Sequence, residues 1–310
     1  MARKTRGETI DPTRCLIYHI WTRCVHRQGL LISENDVYKR MIYELFRLLD
    51  EHFAIEVVAY DIMDNHLHLV IRLDPRAVED WNDREVVTRW FGAHRPRGKA
   101  ATERCIEKHL ADDVWVEKHR EALASASQFM KDLKQRIAER INAAEGLEGH
   151  FWQGRFEARA IETYEDLVAV CAYVDLNDVK AGLCDDPRMA AFCSAAERAA
   201  SLAAHADDIG GAGEHTWLVP IADDTAGEAG SASREIAADC SGSHRGRGLF
   251  PGASVGDYLG LLTALARAIR QGCVQSSPAA EQGARRLGTD LGELTERVLA
   301  LFENPRWSPD

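Results

Sequence analysis

The stretch Ala59–Leu73, AYDIMDNHLHLVIRL, decides how the rest of the chain reads. AIEVVAYDIM and HLHLVIRL are rich in β-branched and apolar residues, and the pair Asp64-Asn65 between them suits a tight turn, so a β-hairpin is expected. Successive side chains of a strand project to opposite faces. Leu67, Leu69 and Ile71 therefore enter a core, and His66 and His68 share the other face, their Cα atoms roughly 6–7 Å apart. Two imidazoles so placed can converge on one divalent ion if a third ligand arrives from elsewhere in the chain. Imidazole nitrogen suits transition metals, whereas an oxygen ligand favours Mg²⁺ or Mn²⁺. His-x-His is also compatible with histidines that merely pack, so the pair alone leaves both readings open.

Working outward, CLIYHIWTRCV at 15–25 reads as a strand. SENDVYKRMIYELFRLLDEHF reads as a helix, with Ser33 as N-cap and Val37, Met41, Leu45 and Leu48 on one stripe. Strand, helix and hairpin predict an α+β fold, a sheet with helices packed on it. Residues of about 74–115 look like an insertion. It holds one short helix, with Val86, Val87, Trp90 and Phe91 on its stripe, and the polar loop HRPRGKAA. A long helix is expected from Val116 to Asn142, its apolar face made by Leu123, Met130, Leu133, Ile137 and Ile141. EGHFWQGRFEARAI then reads as a loop running into a strand. The helix of TYEDLVAVCAYVDLNDVKAGL follows, capped by Thr163 with Asp166 in the reciprocal position and ended by Gly182. Three regions result: residues 1–205, an acidic flexible linker at 206–250, and a C-terminal helical unit at 251–310 built on VGDYLGLLTALARAIRQG and LGELTERVLALF.

The formal net charge of the 310 residues is −11, which taken whole argues against a nucleic-acid partner. The charge is uneven, however. Residues 206–240 carry eight carboxylates against Arg234 alone, while residues 1–31 carry Arg3, Lys4, Arg6, Arg14, Arg23 and Arg27 against Glu8 and Asp11. A basic surface can thus sit on an acidic whole. No apolar run is long enough to span a bilayer, and the basic N-terminus lacks an apolar signal region, so a cytoplasmic protein is expected. The eight cysteines form no C-x-x-C pair and read as reduced. Neither a G-x-x-x-x-G-K-[ST] nor a G-x-G-x-x-G loop is present, so no nucleotide-driven reaction is indicated.

On the helix after Thr163, Tyr173 and Asn177 are four residues apart and share a face. If that face covers His66 and His68, Asn177 can lend its amide oxygen as third ligand and Tyr173 can point its phenol at whatever the metal polarises. A tyrosine on a half-buried helix also serves packing alone.

These residues together resemble a family. MDNHLHLV resembles the His-hydrophobic-His (HUH) signature of the single-tyrosine transposases. AYVDLNDVKAGL resembles their tyrosine-helix motif, Tyr-Ile-x-x-Asn-Pro-x-x-Ala-Gly-Leu. FMKDLKQRIAERIN with GHFWQGRFEARAI resembles the connecting helix and Gly-Arg-Phe segment, and YHIWTRCVHR the first strand. The REP-associated branch is the most similar, and the four segments span roughly residues 14–200 in the family's order.

The resemblance implies a ferredoxin-like antiparallel sheet with packed helices, presenting His66 and His68, with Asn177, to one Mg²⁺ or Mn²⁺. It implies that Tyr173 attacks a phosphate of single-stranded or hairpin DNA, leaving a 5′-phosphotyrosine link and a free 3′-hydroxyl that can later rejoin strands. Arg155 in QGRF matches the family's arginine, and Arg23, Arg27, Lys131 and Lys134 are candidate contacts to the DNA backbone. Trp21, Trp152 and Phe156 can stack unpaired bases. The sequence departs from the motif at Asn177-Asp178, where the family has Asn-Pro, at Asp64 for a proline, and at Asp175 for a frequent histidine. Losing the proline should let the helix run on, and Asp175 could assist the metal. Two other readings stay open: a non-catalytic binder of folded single strands, including a domesticated regulator, and a metallohydrolase in which Tyr173 is structural. Monomer and homodimer are both compatible.

Overall fold

The computed structural model describes residues 10–11, 13–95, 102–204, 216–221, 248–250, 252–272 and 277–304. Four strands form one antiparallel sheet: β1 (Leu16–Arg23), β2 (Ile55–Ile62), β3 (His66–Leu73) and β4 (Glu157–Ile161), in the order β2-β3-β1-β4. Helix α1 (Val37–His52) joins β1 to β2, and the second crossover, from β3 to β4, ends in α5 (Ala126–Glu145). This is the ferredoxin-like β-α-β-β-α-β arrangement. In the expected hairpin turn, Met63 N donates to His66 O at 3.0 Å.

Alternation along the strands gives the sheet two different faces. Tyr18, Ile20, Val57, Leu67, Leu69 and Ile71 pack under Phe46 and Leu49 of α1 and Phe129, Leu133 and Ile137 of α5. Ile17, Ala59, Val70 and Ile161 face the other way, into a core shared with α6 (Tyr164–Asp175). A bulge re-phases β2: Val57 pairs Ile71 and Ala59 pairs Val70, so Val58 is the extra residue. As a result Asp61 stands opposite His68. The freed carbonyl of Val58 accepts from the buried Arg198 at 2.8 Å.

From Leu167 to Asp175 every residue of α6 is buried, whereas Glu165 and Asp166 in its first turn are partly exposed. A helix apolar all round needs cover on all sides, and the C-terminal helices α9 (Val255–Gln271), α10 (Pro278–Arg286) and α11 (Leu291–Glu303) supply it on the side away from the sheet. Residues 206–215 and 222–247 of the expected linker lie outside the described residues. Its described pieces are packed: Val219 N donates to Val57 O at 3.0 Å, and Leu249 N and Phe250 N donate to Pro220 O and Ile221 O at 2.9 Å.

Several helices depart from expectation. The long helix expected from Val116 is two, α4 (Asp113–Leu123) and α5, because Ser125 turns its hydroxyl back to Gln128 N and restarts the chain. Helix α3 (Glu103–Leu110) and α10 were not expected. Ser33 lies one turn outside α1, which begins after a short 3₁₀ turn at Glu34–Asp36. The tyrosine helix does not run on. It stops at Leu176 and resumes as α7 (Asn177–Lys180), and α8 (Ser194–Ala204) follows. Asn177 Nδ2 donates to Tyr173 O at 3.0 Å and Val174 O at 3.3 Å, drawing those carbonyls to a side chain at the break.

Candidate active site

One row of side chains crosses the sheet on the α6 face: Glu157 of β4, Trp21 of β1, His68 of β3 and Asp61 of β2 are successive ladder partners. His66 and His19 stand beside this row on the same face. The rings of His66 and His68 lie 4.9 Å apart, and those of His19 and His68 lie 5.2 Å apart and nearly parallel. Helix α6 brings Tyr173 edge-on to both, 5.4 Å from the His68 ring and 5.7 Å from the His19 ring.

The nitrogen atoms facing these rings are assigned by their partners. Asn65 Oδ1 meets His66 Nδ1 at 2.5 Å and can only accept, so Nδ1 carries the proton and the lone pair sits on Nε2. His19 Nε2 lies 3.0 Å from His68 Nδ1. His68 Nε2 is buried and has no hydrogen-bond partner among the described residues. Metal-ligating histidines commonly show this pattern, one nitrogen tied by the surrounding protein and the other left for the ion. Burial, and then the positive charge of Arg159, holds His19 down to about 3. Burial, and then His66, His19 and Arg23, holds His68 well below the ordinary histidine value. Both rings are thus kept neutral, the state in which His68 can ligate a metal.

Asn177 is buried at the head of α7, its amide nitrogen turned to the helix carbonyls so that Oδ1 is not the atom engaged there. Among the described residues no three His, Cys, Asp or Glu side chains are grouped closely enough to hold a metal ion. Two imidazoles need an amide or external oxygen to complete a site.

Asp175, read as possible help to the metal, is spent elsewhere. It accepts from Ser194 Oγ, from Ala195 N at 2.9 Å and from Tyr258 Oη at 2.7 Å, and so pins α6 to α8 and α9. Asp178 is buried, and burial raises its carboxyl above the usual range despite the nearby Lys39. Asp61 was not anticipated. Both its carboxylate oxygens are buried without a hydrogen-bond partner among the described residues, and burial, then Asp178 and Asp175, pushes its carboxyl well above the usual range. His19 was also missed. The alternation of YHIW places it on the Trp21 face of β1, but only the ladder register shows that this face meets His68.

The basic candidates separate into three groups. Arg23 and Arg155 line a cavity of about 410 Å³ with Trp21 and Glu157. Lys134 is tied to the chain, donating to Gly154 O at 2.7 Å with its ammonium 5.4 Å from the Trp152 ring centroid. Arg27 and Lys131 are exposed, Arg27 in the loop after β1 and Lys131 on α5. Trp152 is half-buried, its indole donating to Lys134 O at 2.9 Å, and Phe156 is a core residue.

Tyr173 itself is fully buried. Phe302 of α11 lies over its ring at 4.7 Å between centroids, and Lys180 Nζ sits 5.6 Å from the centroid of Phe302.

Residues 13–79 match the family model described as "Transposase IS200 like". The match covers β1 to β3, including His66 and His68, and stops before Tyr173, Asn177 and Arg155. No curated protein matches the chain. Among solved structures, the REP-associated tyrosine transposase bound to a REP hairpin is similar at 16% identity and a TM-score of 0.40, over 64% of this chain and 86% of that one. Among the described residues no helix is long and apolar enough to cross a membrane.

Proposed function

We propose that this chain is a metal-dependent, single-tyrosine DNA strand transferase of the IS200-like kind, acting on single-stranded or hairpin DNA. The observation that carries the reading is the Tyr173 ring standing 5.4 Å from the ring of His68, an imidazole whose outer nitrogen is buried and, among the described residues, unpartnered.

The residues fit a divalent cation. His66 and His68 each have Nδ1 engaged by a neighbour, leaving Nε2 as the ligand atom, and Asn177 Oδ1 would complete the protein's share. A hard amide oxygen beside two imidazoles suits Mn²⁺ or Mg²⁺ with water or phosphate oxygens in the remaining positions. When bound, the cation supplies positive charge to the non-bridging oxygens of a phosphodiester.

The chain's own residues do the rest. Tyr173 Oη forms a bond to phosphorus as the bond to the 3′-oxygen breaks. The phenol loses its proton and the departing 3′-oxygen gains one, leaving a 5′-phosphotyrosine and a 3′-hydroxyl. One phosphodiester replaces another, so the reverse attack by a 3′-hydroxyl rejoins strands without nucleotide hydrolysis. His19 and Asn65 hold the two ligand imidazoles in orientation, and one of Arg23 and Arg155 bears the phosphate charge of the strand. Because Tyr173 is fully buried beneath Phe302, α11 must lift before a phosphate can reach the phenol.

The test is covalent capture. With Mn²⁺ or Mg²⁺, the full chain should yield a denaturation-resistant adduct with a single-stranded hairpin oligonucleotide drawn from DNA flanking the gene, and Tyr173→Phe should yield none while still binding. Cleavage that persists in Tyr173→Phe without an adduct would instead support hydrolysis by water, and binding without cleavage at any metal concentration would support a non-catalytic binder.

A further inference from the structure

The loop between α5 and β4 and the end of β1 line the open cavity that holds Arg23 and Arg155. The loop's position is fixed by main-chain ties: Gln153 N donates to Arg23 O and Val25 N to Phe151 O, both at 2.9 Å, and Cys24 bridges to Trp152. Lys134 holds Gly154 O from α5. The cavity of about 410 Å³ bounded by Trp21, Arg23, Gln153, Arg155 and Glu157 is therefore preformed, and its size suits a small organic group rather than an ion.

Its place in the sheet ties it to the candidate active site. Trp21 is the ladder partner of His68 on one side and of Glu157 on the other, and its ring stacks on His19 at 4.9 Å. With strands about 4.8 Å apart, Glu157 stands about 10 Å from His68 along that row. That is about the reach from a phosphate to the base of a neighbouring nucleotide.

The lining chemistry narrows the occupant. A pocket for phosphate alone would not carry the Glu157 carboxylate, which repels the anion. A carboxylate and an arginine side by side suit a ligand edge that offers N–H donors next to an acceptor. Among the bases only guanine offers two adjacent donors, N1–H and N2–H₂, to both oxygens of one carboxylate, with O6 and N7 as acceptors for a guanidinium. Adenine and cytosine present one amine each, and thymine one ring N–H. Trp21 gives the base an aromatic wall.

We infer that this cavity reads a single unpaired guanine beside the scissile phosphate, with Glu157 as the discriminating group and Arg155 or Arg23 on the acceptor edge. This deepens the proposed strand-transferase reading and rests on it for the ligand being DNA.

The experiment is fluorescence anisotropy of the full chain, in chelator and without added metal, with labelled five-base oligodeoxythymidylates whose central base is guanine, adenine, cytosine, thymine or hypoxanthine. The guanine strand should bind about tenfold or more tightly than the other three natural strands, the gain expected of one bidentate base contact. Hypoxanthine, which lacks the 2-amino group, should lose most of that preference. Glu157→Gln, an exposed change on an edge strand whose circular dichroism should match that of the wild type, should bring all five strands within about twofold of one another. Equal affinity for the natural strands, or a guanine preference unaltered in Glu157→Gln, overturns the assignment. Because no metal or covalent chemistry enters this measurement, failure to find a Tyr173 adduct alongside an intact guanine preference would sink the transferase reading alone, and the converse would sink the pocket alone.

Discussion

His19 Nε2 and His68 Nδ1 lie 3.0 Å apart in a fully buried pair, from strands β1 and β3 that neighbour one another in the sheet. The contact fixes which nitrogen of His68 faces the candidate metal. His19→Phe removes the ring nitrogen facing His68 Nδ1 but keeps an aromatic ring against Trp21. Mn²⁺ affinity, followed by the loss of free-ion paramagnetic resonance signal, should fall about 10–100-fold, and the ¹⁵N shifts of His68 should report a changed tautomer balance. Unchanged affinity and shifts would remove His19 from the site.

The same pair makes the fold sensitive to acid. His19 is held down to about 3 and His68 well below its ordinary 6.5. Below that ordinary value the unfolded chain takes up protons that the folded chain does not. Stability is therefore complete above about pH 6.5 and falls as pH drops, by up to about 1.4 kcal/mol per pH unit for each imidazole. Asp61 acts in the opposite sense, since its raised carboxyl is protonated more readily in the folded state, but it is common to wild type and variant. Between pH 7 and pH 5 the urea midpoint should thus fall further for wild type than for His19→Phe. Parallel losses would contradict the assignment of a neutral buried His19.

Phe302 covers the proposed nucleophile. Phe302→Ala should lower thermal stability, the cost of truncating a core phenylalanine being about 3–5 kcal/mol at full burial. It should also raise the initial rate of adduct formation, because α11 then leaves Tyr173 more readily. A variant that is less stable and no faster would show that the cover does not limit access.

Asp175 holds three donors from α8 and α9. Asp175→Ala strands them in a dry interior and should cost about 3 kcal/mol in denaturant unfolding, while Mn²⁺ affinity measured below the transition stays within twofold, about 0.4 kcal/mol. A large loss of metal affinity with little loss of stability would return Asp175 to the metal site.

What the sequence disclosed was what local periodicity encodes. Period-two alternation in HLHLVIRL separated His66 and His68 from Leu67, Leu69 and Ile71, and the Asp64-Asn65 turn located the hairpin. The helix bearing Tyr173 was legible from its cap at Thr163. His19 and Asp61 were not, because their approach to His68 depends on strand order and on the Val58 bulge, neither of which is a local property. The break at Leu176 was missed because Asn177 was read as a ligand only, and not as a side chain that bonds the carbonyls of Tyr173 and Val174. The break before α5 was there to be read in Ser125, a capping residue in the middle of an apolar stripe. The cover over α6 required knowing that the C-terminal helices share its core.

The most direct test of the central claim is peptide mapping of the protein after reaction with a hairpin single strand and Mn²⁺, followed by nuclease digestion of the DNA. The account predicts one modified peptide, carrying a nucleotide monophosphate on the phenol of Tyr173. Cleaved DNA with Tyr173 unmodified, or a nucleotide on any other side chain, would contradict it.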